Sequence, residues 1–239
     1  MSDVTTEQYE HGRLSVVATP IGNLGDITYR AVAVLGVCDY ILCEDTRVTG
    51  KLLAHYDIKT PMKRYDAHTS DRTHEQVLAD LAAGQHIALV SDAGTPGVSD
   101  PGVLLVARAR ATGARVDAIP GPSAVTAAIS LAGLAGNHFT FLGFAPQKKG
   151  RQTFFTTLAA AEHPVVFFES THRILKTLES LGELLPADWR VLVCRELTKL
   201  YEEVLIDTPS EVLATLYESP VKQKGEFVII VAPPESTVY

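Results

Sequence analysis

Cysteine is scarce: Cys38, Cys43 and Cys194 are the three in a chain of 239 residues. The odd number and the absence of metal-ligand spacing exclude a disulfide framework and a zinc site. Long apolar runs are missing as well. None approaches the roughly 18 residues that a membrane span needs, and the nearest, Ala31 to Cys43, is interrupted by Asp39. Residues 1–12 are polar and acidic, lack the basic start and apolar middle of a signal peptide, and read as a disordered tail. These absences point to the cytoplasm and to no membrane contact. Positive charge is also short. A formal net charge of −7 argues against broad nonspecific nucleic-acid binding, which rests on many phosphate contacts. The local exception, Gln147-Lys148-Lys149-Gly150-Arg151, reads either as a basic surface or as a solvated turn before a helix.

What is present suits a sizeable core, with 46% hydrophobic and 21% charged residues. The length fits one large domain or two of about 120 residues each. The chain is organised around Ile87 to Ala109. There a short apolar run, Ile87 to Val90, has the length and flanking turn signals of a buried strand. A loop with Gly94, Pro96, Gly97, Pro101 and Gly102 follows, then an apolar stretch with helical spacing, Val103 to Ala109. The loop exceeds the usual two to six residues of a plain strand-to-helix connection. In an open α/β sheet such a loop lies in the crevice beyond the carboxyl end of a strand, where ligands bind. Ser91, Asp92, Thr95, Ser99 and Asp100 supply its polar atoms.

In chain order, Leu14 to Thr19 reads as a first strand and Ile27 to Leu35 as a first helix. Pro20 stands where a dinucleotide fingerprint needs its first glycine, which disfavours a nicotinamide-binding Rossmann domain. Tyr40 to Cys43 is a second strand, closed by Glu44-Asp45-Thr46-Arg47. Either Asp45 or Thr46 caps the helix Val48 to His55, or the cluster forms a polar wall of an active site with a general base; both can hold. Met62 to Tyr65 is a short strand. A helix is expected from Thr73, with Gln76 completing a capping box and Gly84 as its stop. Arg115 to Ile119 is another strand, and Ser123 is expected to cap the helix Ala124 to Leu131. Strand and helix alternate up to this point, which predicts a mostly parallel sheet.

From Phe139 the pattern becomes mixed. Strands are expected at Phe139 to Phe144, Val165 to Glu169, Val191 to Arg195, Glu203 to Ile206 and Phe227 to Ala232. Helices are expected at Arg151 to Ala160 and His172 to Leu184, and after the capping box Thr208-Pro209-Ser210-Glu211 through Tyr217. The reading is an α/β chain with an N-terminal domain over residues 13–120 and a C-terminal domain with a smaller mixed sheet over 121–234.

Eight motifs in order carry a resemblance. They are ATPIGNLGD at Ala18 to Asp26, CEDTR at Cys43 to Arg47, SDAGTPGVSDPG at Ser91 to Gly102 and PGPSA at Pro120 to Ala124. FLGFAPQKKGR at Phe141 to Arg151, FFESTHR at Phe167 to Arg173, RELTK at Arg195 to Lys199 and GEFVIIV at Gly225 to Val231 complete the set. Together they resemble the tetrapyrrole-methylase superfamily, S-adenosylmethionine (SAM) methyltransferases with two α/β domains. Within it they are most similar to the 16S rRNA (cytidine-2′-O)-methyltransferases. Two departures stand out. Thr171 occupies a position where that family usually has proline, and many relatives carry a helical extension past the last strand.

The resemblance implies SAM bound in a cleft between the domains, a homodimer, and a decoding-centre cytidine of small-subunit rRNA, naked or in the 30S particle, as substrate. Carried over by motif, the cofactor contacts are Pro20, Gly22, Asp92, Ala93, Gly94, Ser123 and Ala124. Phe144, Leu197, Lys224 and Gly225 contribute from the second domain. The chemistry is in-line displacement at the sulfonium methyl by a ribose 2′ oxygen, so the main task is alignment, helped by a base that takes the hydroxyl proton. Candidates for the base are Glu44, Asp45 and Lys199; a lysine serves only if its pKa is lowered. Arg47, Lys148, Lys149 and Arg151 are the candidate RNA contacts.

One rival is C-methylation of a porphyrin or corrin precursor, for which 7% aromatic residues give no support. A second is a phosphate- or nucleotide-binding domain, against which Asp92 and Asp100 stand in the central loop with no nearby lysine. A SAM sensor without catalysis is the third, although no motif looks degraded.

Overall fold

The computed structural model describes residues 12–134 and 138–234. The chain divides into two compact units at the Pro122/Ser123 junction. Most of the expected N-terminal tail lies outside the described residues. Its last member, Gly12, does not belong to a tail: it is buried, and its N–H donates to Leu81 O at 2.7 Å.

The first unit contains β1 (Arg13–Val17), α1 (Tyr29–Val37), β2 (Tyr40–Cys43), α2 (Thr46–His55), β3 (Met62–Arg64), α3 (Asp71–Ala82), β4 (His86–Leu89), α4 (Val103–Ala111) and β5 (Arg115–Ile119). The sheet order is β3-β2-β4-β1-β5 and every pairing is parallel. A parallel sheet is buried on both faces, so its strands read as continuous apolar runs rather than alternating ones. Ile41, Cys43, Ala88 and Val90 pack with Ala31 and Leu35 of α1 and Leu53 of α2. Tyr40, Leu42, Ile87 and Leu89 pack with Leu81 of α3 and Leu105 of α4. Because all five strands run the same way, all their carboxyl-end loops open along one edge. The chain leaves β1 toward β2 and leaves β4 toward β5, so neighbouring central strands send their connections in opposite directions there.

The second unit contains α5 (Ala124–Leu131), β6 (Thr140–Phe144), α6 (Arg151–Ala159), β7 (Val165–Ser170), α7 (Ile174–Leu184), β8 (Arg190–Arg195), β9 (Glu203–Asp207), α8 (Pro209–Glu218) and β10 (Glu226–Ala232). Its sheet, ordered β6-β7-β10-β8-β9, is parallel at β6/β7 and antiparallel elsewhere. With five strands it matches the first sheet in strand number and is not the smaller sheet expected. One face carries Phe167, Val193, Phe227 and Ile229 against Phe155 and Leu158 of α6, Leu178 and Leu181 of α7 and Leu216 of α8. The carboxyl ends of β6, β7 and β8 and the amino end of β10 share one edge.

Helix starts are where the structure departs most from expectation. Helix α1 begins at Tyr29 and not Ile27, because Leu24–Asp26 forms a separate 3₁₀ turn and the Thr28 hydroxyl accepts from Ala31 N–H. Helix α3 begins at Asp71, two residues early, because Ser70 and not Thr73 supplies the cap. Ser123 sits at the start of α5 as expected, but its hydroxyl makes no capping bond. Thr208 caps α8 as expected, its hydroxyl accepting from Glu211 N–H with Pro209 in the first turn. The Glu211 carboxylate, however, accepts from that hydroxyl and not from Thr208 N–H, which donates to Asp207 Oδ1, so the box closes only in half. Among the described residues no helix is long and apolar enough to cross a membrane.

Candidate functional site

At the carboxyl edge of the first sheet the loops are laced to one another. Thr19 and Gly94 exchange backbone hydrogen bonds of 2.9 and 3.0 Å, an isolated antiparallel bridge between the loops after β1 and β4. The Thr19 hydroxyl donates to Ser91 O, and Ala18 N–H to Ile119 O. Asp45 N–H donates to Asp92 Oδ1 at 3.0 Å, which ties the β2 loop to the same loop. Gly94 has φ +79°, a conformation that favours glycine, and this turn lets the chain bridge back to Thr19. Pro20, Gly22, Glu44, Asp45, Asp92, Ala93 and Gly94 thus share one edge, as the carboxyl-end rule for open sheets requires.

The electrostatics separate the candidate bases. Asp45 accepts both the backbone N–H and the guanidinium fork of Arg47, with Nη2 to Oδ2 at 2.6 Å. These bonds hold its carboxyl well below the usual carboxylate range, so Asp45 caps α2 and anchors Arg47 and makes a poor proton acceptor. Glu44 goes the other way. Partial burial raises its pKa above the ordinary 4.5, and the charges of Asp92, Asp100, Asp66 and Asp45 add to the shift. Asp100 is raised too, by burial first and by Asp92, against a hydrogen bond from Ser91. In sequence Asp100 is one polar group of the loop among several; the surrounding charge marks it out only once the loop is folded. Ser99 before it is a non-glycine residue at φ +65°, the kind of backbone strain that concentrates at functional sites.

The second unit gathers its candidates at one edge as well. Glu196 and Thr198 both have left-handed backbones, at φ +51° and +65°, and the Thr198 hydroxyl is buried without a partner. Leu197 between them is buried. Lys199 Nζ donates to Glu196 Oε1 and to Glu226 Oε2, each at 2.9 Å. Burial alone would lower its pKa, but the two carboxylates outweigh burial and raise it. Lys199 is therefore held as a cation, which corrects its assignment as a general base. The adjoining turn is held by Arg195, a buried guanidinium whose Nε, Nη1 and Nη2 donate to the carbonyls of Lys224, Tyr201 and Val221.

Gly225 has φ +119°, and a Cβ there would stand 2.6 Å from Glu196 Cγ and 2.8 Å from its carboxylate. Gly225→Ala is therefore expected to destabilise the second unit by about 1–3 kcal/mol and to disturb the hold of Glu196 on Lys199. Trp189, the single tryptophan and part of that unit's core, makes urea unfolding followed by fluorescence the direct check.

At the end of β6 the ring of Phe144 is 55% exposed and packs edge-on to Phe168. Lys148 and Lys149 are exposed in the turn before α6. Arg151 is not. Its side chain is 13% exposed, Nη2 donates to the Thr177 hydroxyl at 2.9 Å, and Nη1 lies 3.8 Å from Glu169. An internal ion pair removes it from the candidate phosphate contacts. Arg47, by contrast, is 86% exposed, though paired with Asp45.

Comparison with known proteins follows these features. Residues 13–213 match the family model for Tetrapyrrole (Corrin/Porphyrin) Methylases. A protein of Xylella fastidiosa (strain Temecula1), named ribosomal RNA small subunit methyltransferase I, is 46% identical over 221 residues, 92% of this chain and 81% of that protein. The protein of the same name from Escherichia coli O157:H7 is 45% identical over 92% of this chain and 77% of its own length. Among solved structures, a diphthine synthase superposes with a TM-score of 0.69 at 12% identity, covering 92% of this chain and 89% of that one. A uroporphyrin-III C-methyltransferase from Thermus thermophilus, complexed with S-adenosyl homocysteine, gives 0.62 at 17% identity, covering 93% and 98%. At such identities the structures speak for the fold alone, whereas the 45% relatives share their sequence over nearly all of this chain. The chain belongs to the tetrapyrrole (corrin/porphyrin) methylase family, and within it to the group of the ribosomal RNA small subunit methyltransferase I proteins.

Proposed function

We propose that this protein transfers the methyl group of SAM to a ribose 2′ oxygen of small-subunit rRNA. The observation that carries the reading is sequence identity of about 45% with the small-subunit methyltransferases over 92% of the chain. The solved porphyrin and corrin enzymes, at 17–20% identity, share the family and the fold and speak for no substrate. The first edge also suits a cationic donor: Glu44, Asp92 and Asp100 concentrate negative charge there, and burial first, with the neighbouring carboxylates adding to it, raises the pKa values of Glu44 and Asp100. That is the chemistry for a sulfonium and a poor one for a phosphate.

SAM, when bound, supplies the electrophilic methyl carbon. The backbone near Pro20, Gly22, Asp92, Ala93 and Gly94 would hold it, with Ser123 and Ala124, and Phe144, Leu197, Lys224 and Gly225 would contribute from the second unit. The uncapped Ser123 hydroxyl is left available for such a contact. Glu44 and Asp100 are the carboxylates poised to accept the ribose hydroxyl proton. Lys199, held protonated, is suited to stabilise the negative charge that develops on the attacking oxygen. Arg47, Lys148 and Lys149 face RNA phosphates. The resemblance further assigns a homodimer acting in the cytoplasm, which light scattering of the purified protein and fractionation would check.

The test is transfer of labelled methyl from SAM to 30S subunits from a strain lacking the gene, with naked 16S rRNA and a uroporphyrinogen run beside them. Label in subunit RNA that survives alkaline hydrolysis as a dinucleotide is the expected result, because 2′-O-methylation blocks cleavage. Label in the macrocycle would overturn the substrate and keep the fold.

A further inference from the structure

Thr171 is the first residue after β7, and the structure gives its side chain a use. Strands β7 and β10 pair antiparallel, with Ser170 opposite Glu226 as the last pair of the ladder. The next pair would be Thr171 with Gly225, but β7 ends at Ser170 and the chain turns away into α7. The Thr171 hydroxyl continues the ladder in place of backbone. Its Oγ1 accepts from Gly225 N–H at 3.0 Å and donates to Gly225 O at 2.6 Å. A hydroxyl offers both functions at once, as a backbone partner in a ladder does, and proline offers neither.

The residue so held is the one least able to be held by its own side chain. Gly225 lies at φ +119° with Glu196 pressed against its open face, and Glu196 in turn binds Lys199 and Glu226 N–H. Arg195 fixes the carbonyl of Lys224 from the other side at 2.7 Å. The turn therefore has two anchors, a buried guanidinium before Gly225 and a hydroxyl at it.

We infer that Thr171 is a positioning residue for SAM binding, acting through the Lys224–Gly225 turn. This rests on the reading above that the turn contacts the cofactor. Thr171→Val keeps the shape and removes both bonds, while Thr171→Ser keeps the bonds. T171V is expected to raise the Kd and KM for SAM about fivefold, the effect of roughly one net hydrogen bond. Its kcat should stay within about twofold of the parent, and its urea midpoint should move little. Amide exchange at Gly225, followed by NMR, should quicken in T171V, and T171S should restore both exchange and affinity. A T171V protein that binds SAM as tightly as the parent overturns the inference, whatever its Gly225 exchange. A parent protein that binds no SAM overturns the cofactor reading itself, a different result read in the same titration.

Discussion

The double variant Glu44→Gln/Asp100→Asn is expected to lose methyl transfer by about 10²–10⁴-fold, the usual range for removing a general base. Its affinity for SAM should fall much less, because the loops that would hold the cofactor are fixed by backbone bonds such as Thr19 to Gly94 and not by these side chains. Geometry and charge have already reduced the field. Asp45 is bound to Arg47 and kept strongly acidic, and Lys199 is kept protonated by Glu196 and Glu226. A base must be deprotonated to act, so a raised carboxyl pKa places the acidic limb of the pH–rate profile above the accepting group's ordinary value, 4.5 for Glu44 or 3.8 for Asp100. Activity should fall as pH drops through that limb. The single variants then assign the proton. The acceptor's own variant reproduces the whole loss. Should Glu44 be the acceptor, Asp100→Asn instead shifts the limb to lower pH, since the Asp100 charge is among the causes that raise Glu44. A double variant with the parent's turnover would mean that neither carboxylate takes the proton and that alignment alone carries the reaction.

The fold was legible wherever the chain punctuates itself. Strand β2 is bounded by Asp39 and Glu44, and β5 by Gly113 and Pro120, and both occupy the residues expected. Errors fell where two capping residues compete within one turn, as Ser70 and Thr73 do before α3. At the site, residue types and spacing were enough to bring the β1, β2 and β4 loops to one edge, because strand direction in an alternating α/β chain dictates it. What no local pattern carries is a partner far along the chain. Lys199 reads as a free base candidate until Glu226, 27 positions later, comes within 2.9 Å. Arg151 reads as part of a basic turn until Glu169 and Thr177 arrive from β7 and α7. Whether a charged side chain meets solvent or an internal counter-ion is decided by tertiary contacts, and that decision overturned two of the site assignments.

The same internal pairing gives the largest expected effect on stability. The Glu169 side chain is fully buried. It forms an ion pair with Arg173 at 2.9 Å, accepts from Ser170 N–H at 2.7 Å and the Thr177 hydroxyl at 2.6 Å, and has Arg151 at 3.8 Å. The two guanidiniums extend the network to the turn that carries Lys148 and Lys149, Arg173 donating to Ala145 O and Arg151 to Pro146 O. Glu169→Gln preserves the volume and removes the one carboxylate that, among the described residues, pairs with both cations. Breaking a buried pair from one side leaves uncompensated charge in a medium that solvates it poorly, at a cost of about 3–5 kcal/mol. The Trp189 fluorescence transition should accordingly move to markedly lower urea. Adding Arg173→Met to Glu169→Gln should cost less than the two single losses together, since the second change removes a cation that the first has stranded. Strict additivity would mean that Arg173 and Glu169 are not energetically coupled, and a loss below about 1 kcal/mol for Glu169→Gln would place the carboxylate in a far wetter environment than its burial implies.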